Sequence, residues 1–385
     1  MKKILFISLF LLLLIPVRAQ HLKHRLNLLT NDPLFETSQL GMMVWDLTDD
    51  TLLFEHNARH AMRPASTMKL LTAIAALDYL GADYRMGTSL YCEGTVEEHT
   101  LHGDLILSGE MDPLFDTVAL CVFIDNLQRM GIDTVCGNIV ADRSFKDTLM
   151  WGEGWCWDDE NPTLTPLLLN GKDDMTERFV AELIKAGVCL DSIGFATGRP
   201  SDTALLVCRC EHSIDQLLSH MMKESDNLYA ECLYYQLAES LGIAPASAVH
   251  ARTLEKQLLN RLGLDRNNYR LADGSGLSLY NYLSAEIVTQ LLRYAWQTDF
   301  IRETLFPALP VAGEDGTLAH RMLKTAAAGN VHAKTGTLSG VTSLAGYLTT
   351  ARGHHLCFCI FNQGVMKLSD GRAFQDRVCE ALCKP

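Results

Sequence analysis

The sequence lacks the patterns that indicate a metal centre or a nucleic-acid partner. It contains no paired Cys-x-x-Cys set and no His-Glu-x-x-His motif, which are the common zinc-site spacings. Positive charge is scarce as well, because 33 Lys and Arg stand against 46 Asp and Glu, and the formal net charge is −13. Phosphate backbones are bound through clustered cations. The sequence therefore predicts no metal ion, no other cofactor and no nucleic-acid partner.

Long hydrophobic runs are missing too, apart from one at the start of the chain. There, Lys2 and Lys3 precede an apolar run over residues 4–16, which is shorter than the roughly 20 residues that a membrane-spanning helix needs. Small residues up to Ala19 fit a cleavage site. We expect residues 1–19 to be a signal peptide, removed after Ala19, which predicts export to the periplasm with no membrane span left in the mature chain. An uncleaved anchor is the alternative.

Cysteine is not scarce, but its spacing does not indicate disulfide bonds. The chain has 12 cysteines, and an even number in an exported protein often means disulfides. Cys208 and Cys210, like Cys357 and Cys359, lie two residues apart in strand-like runs, near the upper limit for bridging. A chain of 385 residues is also long enough to fold around a core without cross-links. We therefore expect buried free thiols.

The order of strand-like and helix-like segments predicts an α/β protein with an insertion. Residues 41–57 alternate in polarity around a turn, as a β-hairpin does, and three strand-like runs lie near the C-terminus. Long helical patterns begin at residue 213, whereas short strands and small helices alternate over residues 89–211. We expect an antiparallel core sheet that pairs the N-terminal hairpin with the C-terminal strands and is flanked by helices. A smaller α/β domain would be inserted over residues 89–211.

The first of three informative motifs is ASTMKLLTA, residues 65–73, at the start of a helix predicted over residues 66–80. Ser66 and Lys69 lie three positions apart and therefore share a face of that helix. Alone, the pair has an ordinary interpretation as a helix cap followed by a surface lysine. A serine hydroxyl, however, is a poor nucleophile unless a base lies beside it. The motif is therefore also that of a nucleophile and its activating amine.

The other two motifs supply further polar groups. In ESDNLY, Ser225 and Asn227 occupy alternate positions of a link between two predicted helices, although an ordinary helix start is the simpler interpretation. The run AKTGT is unusual inside a predicted strand, because its glycine weakens a strand. Its polar side chains are Lys334, Thr335 and Thr337. Only folding can bring three such distant motifs together, and their joint presence favours one shared cleft.

This ordered set of motifs is that of the penicillin-binding proteins and β-lactamases. Ser66 is then the expected nucleophile and Lys69 the general base, which must be neutral; burial and the charge of Lys334 would lower its pKa. The helix N-terminus at Ser66 and the backbone N–H of Thr337 would stabilise an oxyanion. Ser225 would relay a proton towards the leaving amine. Two further roles are expected. Asn227 would bind the peptide backbone of the substrate, and Lys334 with Thr335 and Thr337 would form a cationic end for a free carboxylate.

Six longer segments resemble the D-alanyl-D-alanine carboxypeptidase/endopeptidase family known as class C low-molecular-mass penicillin-binding proteins, of the penicillin-binding protein 4 type. They are GDLILSGEMDPLF (103–115), GNIVADRSF (137–145), WGEGWCWDD (151–159), LADGSGLSLYN (271–281), LPVAGEDGTLAHRM (309–322) and AKTGTLSGVTSLAGYLTTA (333–351). The resemblance implies a penicillin-binding/β-lactamase-like transpeptidase core over residues 20–88 and 212–385. It also implies an exported enzyme that removes the terminal D-alanine from peptidoglycan stem peptides ending in D-Ala-D-Ala. Cleavage of D-alanyl cross-links is a further activity in the family, and β-lactams would be covalent inhibitors.

The sequence departs from the family pattern between the first two motifs. The insertion there is shorter than usual, so one of the two inserted domains that the family carries is expected to be largely missing. Asp112, in GEMDP, is expected to build a turn with Pro113; contact with a cationic residue of the stem peptide is the alternative. The run DGSGLS, residues 273–278, is expected to form a turn and to take no catalytic part.

Two other functions remain open from the sequence. A serine β-lactamase has the same three motifs, but its most familiar class needs a deacylating glutamate on a loop between the second and third. Glu239 is in that interval and lies in an amphipathic helical pattern instead. A penicillin-sensing or wall-binding protein would acylate without efficient turnover. Measurements of D-alanine release and of penicillin hydrolysis distinguish the carboxypeptidase, the β-lactamase and the penicillin-sensing or wall-binding protein.

Overall fold

The structure is a computed structural model that describes residues 22–158, 160–264 and 269–384. The predicted signal peptide, residues 1–19, lies outside the described residues, as does Asp159 at the end of one family-like segment. In the described ranges, no helix is both long enough and apolar enough to cross a membrane.

Within the described residues, ten strands form two sheets of five strands each. The strands are β1 (Gln39–Asp46), β2 (Thr51–His56), β3 (Arg85–Glu97), β4 (Thr100–Gly109), β5 (Thr134–Asp142), β6 (Cys189–Thr197), β7 (Leu205–Ser213), β8 (His332–Leu338), β9 (Val341–Thr349) and β10 (His355–Gln363). The helices are α1 (22–29), α2 (Met68–Leu80), α3 (Thr117–Arg129), α4 (Met175–Lys185), α5 (Ile214–Lys223), α6 (Asn227–Glu239), α7 (Ala248–Arg261), α8 (Ala285–Gln297), α9 (Asp299–Ala308) and α10 (Leu368–Cys383).

The first sheet joins the two ends of the chain. Its strand order is β2-β1-β10-β9-β8, and every neighbouring pair is antiparallel. The N-terminal hairpin therefore pairs with the C-terminal strands, as the sequence predicts. This sheet, flanked by helices, confirms the predicted fold class, and it leaves β8, the strand that contains the third motif, at one edge.

Both faces of this sheet are covered, which explains the continuous apolar run in β10. Cys357 and Cys359 point into the core shared with α2 and α8, while Phe358 points into the core formed with α10. Burial on both sides removes the alternation that a half-exposed strand would show. Both thiols are buried, as expected, whereas Cys208 and Cys210 are only partly buried, so the expectation of burial is wrong for that pair.

The second sheet is formed by the part of the chain between Arg85 and Ser213. Its order is β6-β5-β4-β3-β7; β3 pairs antiparallel with β4 and β7, and β5 pairs parallel with β4 and β6. Apolar residues of α3 and α4 pack on it and form a core of their own. The insertion expected over residues 89–211 lies within this part of the chain.

Helix α2 is enclosed by other elements, and this fixes the position of the first motif. Every residue from Met68 to Leu77 is buried, in a core shared with α5, α6, α7 and α8 and with the first sheet. The α-helix begins at Met68, two residues later than predicted, because Ala65–Thr67 form a 3-10 turn that contains Ser66. Helix α9, which ends with Pro307 in its last turn, was not predicted.

Candidate active site

The three motifs come together where α2, the α5–α6 junction and β8 meet. Ser66 lies on the 3-10 turn before α2, Ser225 lies between α5 and α6, and Lys334 lies on the edge strand β8. The Nζ atom of Lys69 is 3.0 Å from the Oγ atom of Ser66. On the other side of the cleft, Lys334 Nζ donates to Ser225 Oγ at 2.7 Å. Two serine–lysine pairs therefore face each other.

The backbone is strained at both serines. Ala65, directly before Ser66, has φ of 49°, and Ser225 has φ of 60°, in the left-handed region that non-glycine residues rarely adopt. Such a residue costs about 1–3 kcal/mol and persists only where its surroundings hold it. Here Ser343 Oγ donates to the carbonyl of Pro64 at 2.7 Å and holds the turn against β9. Strain at these two positions is typical of a functional site.

Three oxygen atoms surround the amine of Lys69 at hydrogen-bond distance. It lies 3.0 Å from Ser66 Oγ, 2.7 Å from Asn227 Oδ1 and 2.8 Å from the carbonyl oxygen of Ser275. A neutral amine has two N–H groups and one lone pair. Because the amide oxygen of Asn227 and the carbonyl of Ser275 can only accept, they occupy the two N–H groups. The lone pair is then directed at the hydroxyl of Ser66, the orientation that a general base needs.

Burial favours the neutral form of both lysines. It lowers the pKa of Lys69 to about 8, against the opposing negative charges of Asp273, Glu231 and Asp226. The pKa of Lys334 is lowered well below its usual value, first by burial and then by the charge of Lys69. The expected lowering for Lys69 is therefore present, but burial is its main cause. The charge of Lys334, which was expected to lower the pKa of Lys69 as well, is not among its causes.

The loop over residues 273–278 contributes more to the site than the sequence indicated. Its Ser275 carbonyl accepts from Lys69, and its backbone N–H groups at Gly274 and Ser275 donate to Glu231 Oε1 at 3.1 and 2.8 Å. Glu231 lies one helical turn after Asn227 on α6, so both project from the same face. Glu231 was not predicted as a site residue, although a charged residue four positions after a motif asparagine, in an otherwise apolar helix, was an available signal.

An open cleft of about 680 Å³ leads to Ser66. Thr335 and Thr337 of β8 line it: Thr335 Oγ1 donates to Thr317 Oγ1 at 2.8 Å, and Thr337 Oγ1 accepts from Arg372 Nη2 at 3.2 Å. Its lining residues are Ser66, Ser225, Thr317, His320, Arg321, Thr335, Gly336, Thr337, Ser343, Ser369, Arg372, Ala373, Gln375 and Asp376. Beyond the nucleophile, the cleft therefore presents several hydroxyl groups, among them those of Thr335 and Thr337, and the guanidinium groups of Arg321 and Arg372.

Comparison with known proteins identifies the family. A sequence profile described as the D-Ala-D-Ala carboxypeptidase 3 (S13) family matches residues 22–167 and 163–383. The chain belongs to this family. The predicted family and enzyme class, a D-Ala-D-Ala carboxypeptidase, are thereby confirmed.

Similar proteins match this S13 carboxypeptidase along most of their length. The D-alanyl-D-alanine carboxypeptidase DacB of Haemophilus influenzae is 25% identical, over 86% of each chain. The D-alanyl-D-alanine carboxypeptidase of Actinomadura sp. (strain R39) is 27% identical, over 90% of this chain and 82% of its own. The crystal structure of penicillin-binding protein 4 from H. influenzae superposes with a TM-score of 0.82 at 24% identity, covering 91% of this chain and 97% of that one. This likeness extends the family match to the fold.

One substrate contact considered for this S13 carboxypeptidase is wrong. Asp112 is fully buried, where its carboxylate contacts His212 Nδ1 at 2.7 Å and accepts from the backbone N–H of Leu114 at 3.0 Å. It is therefore unavailable to a cationic group of a substrate. The turn interpretation is the correct one, because the bond to Leu114 closes a turn around Pro113.

A substitution at Gly276 should damage the site through the turn that contains Ser66. Gly276 has φ of +83°, and a Cβ atom there would lie 1.9 Å from the carbonyl oxygen of Ala65. We expect Gly276→Ala to lower the free energy of unfolding by about 3 kcal/mol and to slow acylation by a penicillin. Gly81→Ala is the matched control, because Gly81 has φ of +85° with no atom within 4 Å of the added Cβ. Denaturant unfolding and labelling rates test this; equal effects of the two variants would contradict it.

Proposed function

We propose that this chain is a serine-type D-Ala-D-Ala carboxypeptidase that acts on peptidoglycan stem peptides through an acyl-enzyme on Ser66. The observation that supports this most directly is the position of the Lys69 amine, 3.0 Å from the Ser66 hydroxyl with its other acceptors at Asn227 and Ser275. The family supplies the reaction class. The roles of the individual residues rest on this geometry.

Acylation begins when the amine of Lys69 takes the proton of the Ser66 hydroxyl. Ser66 Oγ then bonds to the carbonyl carbon of the penultimate D-alanine, and the oxyanion is stabilised by the backbone N–H groups of Ser66 and Thr337. Ser225, whose Oγ accepts from Lys334, passes the proton now held by Lys69 to the amide nitrogen, which returns Lys69 to its neutral form. The C–N bond breaks, and D-alanine leaves as a neutral amine.

Deacylation reverses the roles with water in place of D-alanine. Lys69 takes a proton from water, and the hydroxide attacks the ester carbon. Ser66 Oγ then leaves and takes the proton back from Lys69. Asn227 holds the peptide backbone, while Thr335 and Thr337, with the amine of Lys334 behind them, face the terminal carboxylate. A β-lactam opens on Ser66 by the same acylation, but its leaving amine stays tethered to the acyl group. Slow attack by water then leaves the covalent adduct in place.

The β-lactamase alternative finds little support in the position of Glu239. This glutamate is exposed at the last residue of α6, about 18 Å along the helix from Asn227 at 1.5 Å per residue. It therefore lies far from any water that could attack an acyl group on Ser66.

Cleavage of D-alanyl cross-links, as a second activity at the same site, uses the same chemistry with a larger leaving amine.

We also propose where the enzyme acts and how its chain is divided into domains. Residues 1–19 would be a signal peptide cleaved after Ala19, and the mature enzyme would act in the periplasm. Residues 20–88 and 212–385 would form the D,D-peptidase domain, with residues 89–211 as an inserted domain. N-terminal sequencing of the exported protein tests the cleavage position.

The function is tested by stereospecific release of D-alanine. We expect release from a pentapeptide ending in D-Ala-D-Ala and none from the same peptide ending in D-Ala-L-Ala. Peptide mapping by mass spectrometry should place a penicillin adduct on Ser66. Stoichiometric labelling without D-alanine release would favour a penicillin sensor, and rapid turnover of the penicillin itself would favour a β-lactamase. A dimer of two stem peptides joined by a D-alanyl cross-link tests the endopeptidase activity, and its cleavage is followed by mass spectrometry.

The pH profile should follow the neutral fraction of Lys69. Because the pKa of this amine is lowered to about 8, the neutral fraction rises about tenfold per pH unit below that value. The second-order rate of penicillin labelling should therefore increase about tenfold per unit from about pH 5 to pH 7 and level off near pH 8. Thermal unfolding at each pH checks that the protein stays folded. A flat profile over this range would contradict the role of Lys69 as the base.

A further inference from the structure

The terminal carboxylate of the substrate needs a cation that is accessible in the cleft, and Lys334 does not meet this need by itself. Its side chain is fully buried. Its Nζ atom donates to Ser225 Oγ at 2.7 Å and to the carbonyl of Thr335 at 2.9 Å. Burial and the charge of Lys69 also favour its neutral form. Direct pairing of Lys334 with a carboxylate would require breaking these contacts.

Arg372 lies in the cleft, next to the hydroxyl of Thr337. It is exposed in the first half of α10 and lines the same cleft as Ser66. Its Nη2 atom donates to Thr337 Oγ1 at 3.2 Å, and Thr337 belongs to the polar end of the cleft formed by β8. One of the five N–H groups of the guanidinium is used in this contact, which leaves others for an additional acceptor.

The charge of Arg372 is not neutralised by a neighbour. Among the residues that the structure describes, no carboxylate forms an ion pair with it. Arg321, the other arginine of the cleft, is different: it donates to Asp376 Oδ1 through Nε at 3.0 Å and Nη2 at 2.6 Å, and to Gln375 at 3.2 Å. Asp376 is therefore already paired, and Arg372 remains as a cation facing open space beside Thr337.

We propose that Arg372 is a specificity-determining residue that binds the free carboxylate next to the scissile amide, together with the hydroxyl of Thr337. This inference rests on the proposed function and names a group that the three motifs do not contain. A planar guanidinium matches a carboxylate through two parallel N–H···O bonds. The residue explains how the cleft selects a carboxylate although its motif lysine is buried and engaged.

The test compares a pentapeptide that ends in a free D-Ala-D-Ala carboxylate with its C-terminal carboxamide. For Arg372→Ala, we expect KM for the acid to rise about 10- to 100-fold, as loss of a charge-assisted hydrogen bond predicts, with kcat changed less than about twofold. Turnover of the carboxamide should stay the same. Arg372→Lys should recover part of the affinity. Arg377→Ala is the control, because Arg377 lies on the same helix and pairs with Asp32 instead.

Two results would overturn the proposal: an unchanged KM for the acid in Arg372→Ala, or equal losses for the acid and the carboxamide. If wild-type enzyme releases no D-alanine from the acid, the proposed function fails, and the role of Arg372 is then read from penicillin labelling. Benzylpenicillin and its methyl ester differ only in the carboxylate. Arg372→Ala should slow labelling by the acid about 10- to 100-fold and leave labelling by the ester unchanged. Equal rates for wild type and variant with the acid would refute the inference.

Discussion

Replacing Ser66 with alanine should abolish covalent labelling by a penicillin and reduce D-alanine release by about 10⁶-fold, the loss seen when a serine nucleophile is removed from a hydrolase. No other hydroxyl lies within hydrogen-bond distance of Lys69 Nζ in the described ranges. Removal of Oγ therefore removes both the nucleophile and the proton that the base takes. Intact-mass spectrometry after exposure to a penicillin, combined with a D-alanine assay, measures both effects.

Ser369→Ala is the matched control for this experiment. Ser369 lines the same cleft, but its hydroxyl contacts only the carboxylate of Asp370, at 3.3 Å. We expect this variant to label and turn over as the wild type does. A Ser66→Ala protein that still gains the mass of the drug in full would show that the nucleophile is a different residue.

Replacing Lys69 with methionine should slow penicillin labelling by about 10²- to 10⁴-fold while Ser66 is still present. Methionine has nearly the same length but no lone pair that can take the proton of Ser66. The variant also leaves Asn227 Oδ1 and the Ser275 carbonyl without their donor, at a cost of about 1–3 kcal/mol for each buried acceptor. Labelling rates must therefore be measured on protein shown to be folded, by circular dichroism at the assay temperature.

Lys146→Met separates loss of the base from loss of a buried lysine in general. Lys146 is also buried, and its Nζ atom donates to the backbone carbonyls of Asp147 and Leu149, away from the cleft. Its replacement should leave the labelling rate unchanged. If Lys69→Met labels within about tenfold of the wild type, below the usual contribution of a general base, the proton of Ser66 goes to a different group.

Features set by local sequence were predictable. Ser66 and Lys69 share a face because of helical spacing, and the alternation in residues 41–57 gives the observed hairpin. Pairing of that hairpin with the C-terminal strands was predicted from the order of the segments, because strand-like runs lie near both ends of the chain and long helical patterns lie between them. Helical spacing and the alternation of polar and apolar residues extend over only a few positions, so they can be recognised in the sequence itself.

Features set by distant contacts were not predictable. The carbonyl of Ser275 reaches Lys69 only because Glu231, on another helix, holds the loop through two backbone N–H groups. Asp112 is buried against His212, a partner 100 positions away, so its availability could not be judged from its own segment. The pKa of Lys69 depends in the same way on burial by elements from across the chain. Helix α9 was missed because Pro307 argues against a helix, although its last turn accommodates that residue.

The pairing of β1 with β10 has a consequence for the biogenesis of the enzyme. The sheet pairs β1 with β10, the last of the described strands in sequence. The N-terminal hairpin therefore lacks its second neighbour in the sheet until β10 has been synthesised. Pairing between strands so distant in sequence is slow to form, and the lysine of β8 belongs to the same sheet. A chain that lacks β8, β9 and β10 would have neither this sheet nor the contact between Lys334 and Ser225.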